Sequence, residues 1–565
     1  MLGSVGGNVL GTLYFVYFQI AGILVMTRLL KKEGTFTKFL LGSVLGSVLL
    51  QWLPVLFAFV FDFTIISHVL AALVLLPVFV MAILKRNATK TGNAVKTGIT
   101  DIVARFRYHG AFFVLLAITM ILWIYLLNTH TIPMDETGAF RTGQCTYGDM
   151  NMHLGFVSSL AVQGTFPPEY SLYPGEKLAY PFLSDSISSG VYMMGASLRY
   201  AYILPMIVAF MQVIGGVYLL AVTLFGSRAK ALLTYILYFF NGGLGFVYFI
   251  DWAREREFTL ESVFSGYYTT PTNLVDHNIR WVNIIADMFL PQRATLFGYA
   301  LLFPGIWMLY KAVFHERKEY FLPVGILVSA LPMIHTHSFL AVAFISAAWL
   351  LLCLGRGVVC EEKRRVPAGW ILLVGVGLMC LIQNMVNKGK VQDWELLVIG
   401  VSGIGICVLC GVVLLVLFVK KNGWKNLLQT WGVYLGAVLL LALPQLLFWT
   451  FGQATGENAD NFVRGHFNWG NQGDFYPWFY IKNMGLPLVL IVAAICAKRK
   501  KSAELVLPAM VIWFVAEFIV FQPNVYDNNK LLYIAYLFLC VIAADYSVEL
   551  YRKVKDLGGA KLLAG

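Results

Sequence analysis

Long apolar segments alternate with short polar segments along most of the chain. Each apolar segment holds about 20 residues, the length that an α-helix needs to cross the hydrocarbon core of a bilayer. The pattern predicts fifteen spanning helices, at residues 8–30, 38–61, 64–84, 110–128, 200–225, 230–250, 293–314, 319–336, 338–355, 368–386, 394–419, 428–450, 484–497, 504–522 and 531–550. Because three of these segments are short for a full crossing, the expected number is about 13–16. We therefore predict an all-α, polytopic membrane protein.

Four polar segments interrupt this pattern, all on the same side of the predicted bundle. They are rich in Asp, Asn, Tyr, Trp, Gly and Pro, and they cover residues 129–199, 251–292, 451–483 and 522–530. Within the first of them, residues 181–198 are apolar but interrupted by Ser and Gly, which favours an in-plane or re-entrant helix. Long ordered loops often carry function. We expect the active site in these loops; the alternative is that they form passive caps over the bundle.

Composition and charge agree with membrane insertion. Of the 565 residues, 59% are hydrophobic and 13% are charged, whereas soluble domains carry about 25% charged residues. A net charge of +12 would suggest a nucleic-acid partner for a soluble protein, but its distribution here predicts topology. Alternate loops, beginning with the loop at Lys31, hold 30 of the 42 basic residues and 10 of the 30 acidic ones.

Cytoplasmic loops of membrane proteins are enriched in Lys and Arg. The charge distribution therefore predicts an outer N-terminus, an inner C-terminus and outward-facing polar loops. We expect an integral protein of a bacterial cytoplasmic membrane, in contact with membrane lipids and without a nucleic-acid partner.

Several classes of site are not indicated by the sequence. It contains no P-loop, no G-x-G-x-x-G motif after a strand and no Cys/His cluster with zinc-finger spacing. Only Cys145 falls in a predicted outer loop, so no disulfide is expected there. His335 and His337 flank Thr336 and could both ligate a metal from a turn. No further ligand is apparent, so a divalent metal is not favoured and no other cofactor is predicted.

The first outer loop contains the most informative segment, Tyr147-Gly-Asp-Met-Asn-Met-His153. Asp149 and His153 are four residues apart and would share one face of a helix. Gly148 and Asp149 would begin that helix, where backbone N–H groups and the helix dipole favour an anion. An apolar stripe follows, which is typical of an amphipathic helix at a membrane interface. The alternative is that Asp149 only caps the helix.

The order of these elements resembles the GT-C class of glycosyltransferases, which use polyprenyl-phosphate-linked sugars. A spanning helix at 110–128 precedes an outer loop with an acidic residue, then an amphipathic helix ending in Gly and Pro, then Tyr180-Pro181. In that class the first outer loop carries the catalytic Asp or Glu. The resemblance implies Asp149 as the general base, with Asp135 and Glu136 next. It also implies transfer from a polyprenyl-phosphate sugar donor to a cell-envelope glycan, lipid or protein acceptor.

The resemblance divides the chain into three regions, but the sequence also departs from the class in one motif. Residues 1–109 would be an added N-terminal three-helix bundle, 110–315 the GT-C-like module with outer loops 129–199 and 251–292, and 316–565 a C-terminal bundle with outer loop 451–483. Asp149-Met-Asn151 stands in place of an Asp-x-Asp motif, which argues further against a metal.

A transfer of this kind needs cationic groups near the leaving phosphate. Cations are scarce in the predicted outer loops, and the candidates for substrate or lipid-phosphate binding are His153, Arg293, His335, His337, Arg464, His466 and Lys530. Each one alone could be an interfacial anchor, and Lys530 could pair with Asp527 three residues earlier. The aromatic residues around Trp469 and Tyr476 suit sugar stacking, but an aromatic belt at the membrane interface would look the same.

Other functions remain open. A transporter or flippase of lipid-linked glycans would place ionisable groups near the bilayer midplane and often contain internal repeats. We find no convincing repeat, and the ionisable residues lie near the outer ends of the helices. A non-catalytic scaffold of an envelope assembly complex, or a glycan polymerase or ligase that uses Arg and His, are further alternatives. Glu517, within an apolar segment, is functional by default but has no assigned role.

Overall fold

The computed structural model describes residues 5–88, 108–142, 148–173, 175–257, 259, 269–358, 368–454, 462–497 and 502–556. Almost all regular structure in these residues is helical, which confirms the all-α, polytopic class. Two short strands, Arg464–Gly465 and Ile519–Val520, pair antiparallel. Eleven helices among these residues are long and apolar enough to cross a membrane, and twelve if a pair bent by 113° is one broken span.

The eleven long segments account for most of the predicted spans. They are Val5–Leu29, Thr35–Phe61, Ile65–Leu84, Gly110–Thr131, Leu198–Phe225, Arg293–Phe314, Thr336–Val358, Gly369–Asn387, Asp393–Asn422, Lys425–Thr450 and Val525–Asp556. The bent pair is Tyr476–Met484 with Leu486–Cys496. Two further helices, Met150–Gln163 and Leu183–Met193, lie in the first polar segment, and Gly245–Glu255 begins the second.

The described residues contain fewer full-length spans than the fifteen predicted, because several apolar segments form short helices. Arg228–Phe239, Phe321–Val328 and Ser502–Phe518 have 12, 8 and 17 residues. At 1.5 Å per residue, a 12-residue helix reaches only about 18 Å. The predicted span 230–250 is broken by a turn after Phe239 and resumes as a separate helix at Gly245. Hydrophobicity alone did not reveal that break.

Contacts group the helix ends into two faces. On one, which we call the loop face, Asp62 accepts a hydrogen bond from the Phe166 backbone at 3.1 Å, and Arg199 donates to the Ile132 carbonyl at 2.8 Å. On the other, which we call the basic face, three ion pairs join separate helices: Lys230 with Asp545 at 2.6 Å, Lys311 with Glu33 at 3.3 Å and Arg356 with Glu504 at 3.1 Å. This grouping matches the alternate-loop assignment, while the cytoplasmic orientation of the basic face stays a prediction.

Two helices form the centre of the bundle. Within their most apolar windows, 89% of residues are buried in the helix Arg293–Phe314 and 83% in the segment Val525–Asp556, against none in Asp393–Asn422. The hydroxyl of Tyr299 in the first donates to the carbonyl of Lys530 in the second. Arg293 and Lys530 stand at the loop-face ends of these central helices, so the most buried helices of the bundle position the candidate site.

The three N-terminal helices pack against each other and against the first polar segment. Tyr14 bonds His68 at 2.6 Å, and Asn8 accepts from the Ser197 backbone at 2.9 Å. Gly22 and Gly46 let the first two helices approach closely, since a Cβ on Gly46 would lie 2.6 Å from the Gln19 Cα. Small residues at such crossings are a general device for packing membrane helices.

We expect Gly46→Ala to lower the thermal stability of the purified protein. The added methyl must displace backbone of the facing helix, and overpacking of this kind costs about 1–3 kcal/mol. Gly375→Ala is the matched control, because a Cβ at Gly375 meets nothing within 4 Å. Equal unfolding temperatures for the two variants would contradict the close helix crossing.

Candidate functional site

The helix Met150–Gln163 begins where the sequence predicts, with Asp149 at the N-cap position. Its buried residues, which include His153 and Val157, recur at helical spacing, as expected for one buried face. Asp149 itself is exposed and its side chain makes no capping hydrogen bond. The carboxylate is therefore available to a ligand rather than engaged with its own helix.

His153 turns inward and meets a buried ion pair. Its Nδ1 lies 3.0 Å from Oδ2 of Asp185, and Nε of Arg293 lies 3.3 Å from Oδ1 of the same carboxylate. The side chains are 2% exposed for His153 and fully buried for Asp185 and Arg293. This contact fixes the first turn of the helix that carries Asp149 to the helix Leu183–Met193.

Arg293 has the partners that a buried guanidinium requires. It donates to the carbonyl of Ser184 at 2.8 Å, to the carbonyl of Tyr202 at 2.9 Å and to the hydroxyl of Ser188, and its Cζ lies 4.3 Å from the centre of the Tyr202 ring. A buried charge is tolerated when it is paired and hydrogen-bonded. These contacts suit positioning of Asp185 and His153 better than direct binding of a lipid phosphate.

The hydroxyl of Tyr180 is influenced by the charges of three carboxylates. The loss of hydration raises the pKa of its hydroxyl above the usual range, and the charges of Asp185, Asp149 and Asp527 raise it further, in that order. Its ring centre is 6.0 Å from that of His153. Asp149 from the first polar segment and Asp527 from the last therefore border the same region of the loop face.

The two histidines of the Ile334-His-Thr-His337 turn differ in their contacts. Both nitrogens of His335 are engaged, Nδ1 with Ser338 at 2.8 Å and Nε2 with Thr295 at 3.3 Å. His337 is buried, its Nδ1 lies 3.3 Å from the Gln522 amide nitrogen, and its Nε2 has no hydrogen-bond partner in the described structure. Because an amide nitrogen only donates, Nδ1 accepts and Nε2 carries the hydrogen. His337 thus presents an unused donor.

Lys530 lies beside His337 and supplies the local positive charge. The Lys530 ammonium interacts electrostatically with the rings of His335 and His337. Its Nζ is 2.9 Å from the Asp527 carboxylate. The pairing with Asp527 that the sequence suggested is present. The Asp527 charge acts on His337 as well as on Tyr180. Asp527 therefore connects the region around Asp149 with the region around His337.

Four other candidates stand apart from this cluster. Asp135 accepts from Thr137, Ala139 and Arg141 within its own hairpin, and these contacts, with the Thr137 hydroxyl foremost, lower its pKa to about 2. Such a carboxylate is a weak base at neutral pH. Glu136 is exposed on the same hairpin.

Arg464 and His466 stabilise the segment beside the paired strands. Arg464 donates to the Pro523 carbonyl at 2.8 Å, and His466 Nε2 donates to the Trp469 carbonyl at 3.0 Å. Loss of hydration lowers the pKa of His466. Both side chains are half-buried, and their contacts favour a structural role.

Sequence reasoning missed Asp185, Tyr180 and Asp287 as members of the loop-face chemistry. The signal for Asp185 was available, since it is a lone charge within the apolar Ser-rich segment 181–198, where a charge needs a partner. Asp287 accepts from the hydroxyls of Thr270 and Thr272 at 3.1 and 3.2 Å, and burial raises its pKa to about 6. Nothing in the local sequence distinguished it from other loop carboxylates.

A cavity of about 880 Å³ is lined in part by the loop that precedes Tyr180. Its walls are mainly apolar and come from the helices Thr35–Phe61 and Val433–Gln445 and from the end of Phe321–Val328. Pro167, Glu176 and Lys177 line its end at the loop face. The same loop leads to Tyr180, so an apolar space and the polar cluster are neighbours along the chain.

A network of polar contacts joins the second polar segment to the third. Lys482 donates to the His277 carbonyl at 2.7 Å and pairs with Asp474, which also accepts from Asn278 at 2.8 Å. Trp281 packs on Trp469 with ring centres 5.8 Å apart. Many of the aromatic residues of these loops are therefore buried between segments. Tyr267 and Tyr268 lie outside the described residues.

The described residues contain no group of three or more His, Cys, Asp or Glu side chains that could hold a metal ion. Comparison of the chain with protein-family models, with curated proteins and with solved structures gave no match.

The raised pKa of Asp287 predicts a pH-dependent stability. Because the folded state holds this proton more tightly than the unfolded chain, the contribution of Asp287 to stability is largest below about pH 4 and is lost as the pH rises through 6. Asp287→Asn should remove the free-energy cost of ionising this buried carboxyl and stabilise the protein above pH 6 by about 1–2 kcal/mol. Thermal unfolding measured from pH 4 to 8 tests this. The exposed Asp276→Asn is the control, and a pH-independent effect of the Asp287 variant would refute the assignment.

Proposed function

We propose that this protein is a glycosyltransferase that moves a sugar from a polyprenyl-phosphate donor to a hydroxyl of an envelope glycan, lipid or protein, at the outer membrane face. The proposal draws on the class resemblance and on one observation in particular. His337 offers an unused N–H donor beside Lys530, and the Asp527 charge links this pair to Tyr180 and Asp149. An anion site and an available carboxylate border one region, as the reaction requires.

The reaction assigns a task to each of these groups. Asp149 accepts the proton of the acceptor hydroxyl while the acceptor oxygen bonds to the anomeric carbon of the sugar. The bond from that carbon to the phosphate oxygen breaks, and the lipid phosphate leaves with the bonding electron pair. The His337 N–H and the Lys530 ammonium stabilise the negative charge on the leaving phosphate.

In this scheme Arg293 and Asp185 position other residues and do not contact the substrate. They hold His153, and with it the first turn of the helix that carries Asp149. Preorganisation of this kind contributes to rate because a misplacement of about 1 Å is costly. The apolar cavity lined by the loop before Tyr180 would accommodate part of the polyprenyl chain, while the phosphate stays at the loop face.

The central test is an activity assay with purified protein in liposomes that contain polyprenyl-phosphate-linked hexoses. Cells that carry the same variants are analysed for envelope glycans and lipid-linked sugars by mass spectrometry. We expect Asp149→Asn to lower turnover about 100-fold or more, with lipid-linked sugar accumulating in cells. His337→Phe should lower turnover by about 10- to 100-fold, because it removes one donor to the leaving phosphate.

Two matched variants serve as controls for this test. Glu169→Gln removes an exposed carboxylate of the same polar segment, and Lys318→Ala removes a cation of the basic face. Both should retain turnover. If Asp149→Asn leaves envelope glycans unchanged, the base assignment fails. Accumulation of lipid-linked sugar on the inner leaflet alone would favour a flippase instead.

The orientation can be tested independently. Single cysteines at Glu136 and at Lys318, in a background without native cysteines, should differ in reaction with a membrane-impermeant maleimide on intact cells. We expect labelling at position 136 and protection at position 318 until the membrane is permeabilised. The reverse pattern would place the loop face in the cytoplasm and exclude an outer active site.

A further inference from the structure

Glu517 is a fully buried acid at the loop-face end of the helix Ser502–Phe518. Its Oε1 accepts hydrogen bonds from the hydroxyls of Tyr476 and Tyr480 and from Nε1 of Trp513, the first at 3.2 Å and the last at 3.1 Å. Its Oε2 has no hydrogen-bond partner among the described residues. Oε1 thus accepts three hydrogen bonds, whereas Oε2 accepts none in the described structure.

Within the part of the chain that the structure describes, no basic side chain balances the charge of Glu517. No Lys, Arg or His of the described chain forms an ion pair with it. Three donors to one oxygen favour the ionised carboxylate. A buried charge without a counter-charge is nevertheless costly. Either a proton or a bound cation must therefore neutralise this group in the folded protein.

Unused amide oxygens occur on two other segments, both of which contact the helix end that carries Glu517. Asn468 is 3% exposed, and neither its amide oxygen nor its amide nitrogen has a partner; its backbone N–H faces the Glu517 carboxylate without completing a hydrogen bond. Asn528 donates to the carbonyls of Ala516 and Ile519, which flank Glu517, at 2.8 and 2.7 Å, and its amide oxygen is unused.

These oxygens come from three separate parts of the chain that meet at this point. The His466 backbone donates to the Phe518 carbonyl at 3.1 Å, which brings the segment before Asn468 against the end of the helix. Asn468 holds a left-handed backbone conformation, with φ of 60°. Asn tolerates this conformation better than most residues, and the segment is thereby held in a turn at the carboxylate.

We propose that Glu517, Asn468 and Asn528 form a buried binding site for a monovalent alkali cation, Na⁺ or K⁺. Carboxylate and amide oxygens are the ligands that hard cations prefer. One carboxylate balances one positive charge, whereas a divalent ion would leave a net charge in the interior. The site joins the polar segment 462–475, the helix Ser502–Phe518 and the start of the last helix. The inference does not depend on the proposed glycosyl transfer.

Thermal unfolding of the full-length protein in detergent tests the site. The chlorides of sodium, potassium and choline are compared at equal ionic strength. A ligand that binds only the folded state raises the unfolding temperature with its concentration. We expect a saturable increase with Na⁺ or K⁺ over choline. The increase should be absent in Glu517→Gln, weaker in Asn468→Ala, and intact in the exposed control Glu136→Gln.

Direct binding to the wild-type protein keeps the proposal testable if a variant does not fold. Equilibrium binding of ²²Na⁺ and ⁸⁶Rb⁺ should saturate at one ion per chain for at least one of the two. Absence of saturable binding, together with equal unfolding temperatures in all three salts, would overturn the cation site. Glu517→Gln more stable than wild type in every salt would indicate that a proton neutralises the acid.

Discussion

The packing of the loop face depends on the buried charge of Asp185 and its two partners. A fully buried aspartate in the first turn of the helix Leu183–Met193 is tolerated because Arg293 and His153 meet it from two other helices. Arg293 begins one of the two central helices, and His153 stands in the first turn of the helix that carries Asp149. In a low-dielectric interior, removal of one partner leaves the others uncompensated. The relative positions of the three helices are therefore coupled, and Asp149 is placed by the same contact.

A second constraint acts at the other side of the loop face. The polar segments there are long, yet most of their described side chains are buried or half-buried. Asn483 accepts from the backbone N–H groups of Arg280 and Trp281, at 2.6 and 2.9 Å, and Lys482 reaches the His277 carbonyl. These bonds satisfy backbone groups that the loops could not satisfy alone. The loops thus form a folded layer on the bundle, with the unused polar atoms of His337, Glu517 and Asn468 beneath it.

The helical class, most of the long helices and the grouping of loops into two faces could be predicted from sequence, because apolar length and charge alternation act locally. The start of the helix at Met150 could also be predicted, because the sequence signal for it is equally local. Asp185, Tyr180 and the neighbourhood of Lys530 with His337 were not accessible, since they depend on which distant segments meet. The same limit applies to Arg293 and His335. Each was recognised as a candidate by type and position, but only tertiary contacts revealed that their polar groups are already engaged.

The unequal lengths of the helices have a consequence for the surrounding lipid. Asp393–Asn422 has 30 residues and reaches about 45 Å, whereas Arg228–Phe239 and Phe321–Val328 reach about 18 and 12 Å before their helices end. A bilayer adapts to such differences by local thickening or thinning, and long helices adapt by tilting. One molecule would then be surrounded by an annulus of graded thickness, thinnest beside the short helices. Acyl-chain length in the host membrane thereby becomes a physical variable to which this protein should respond.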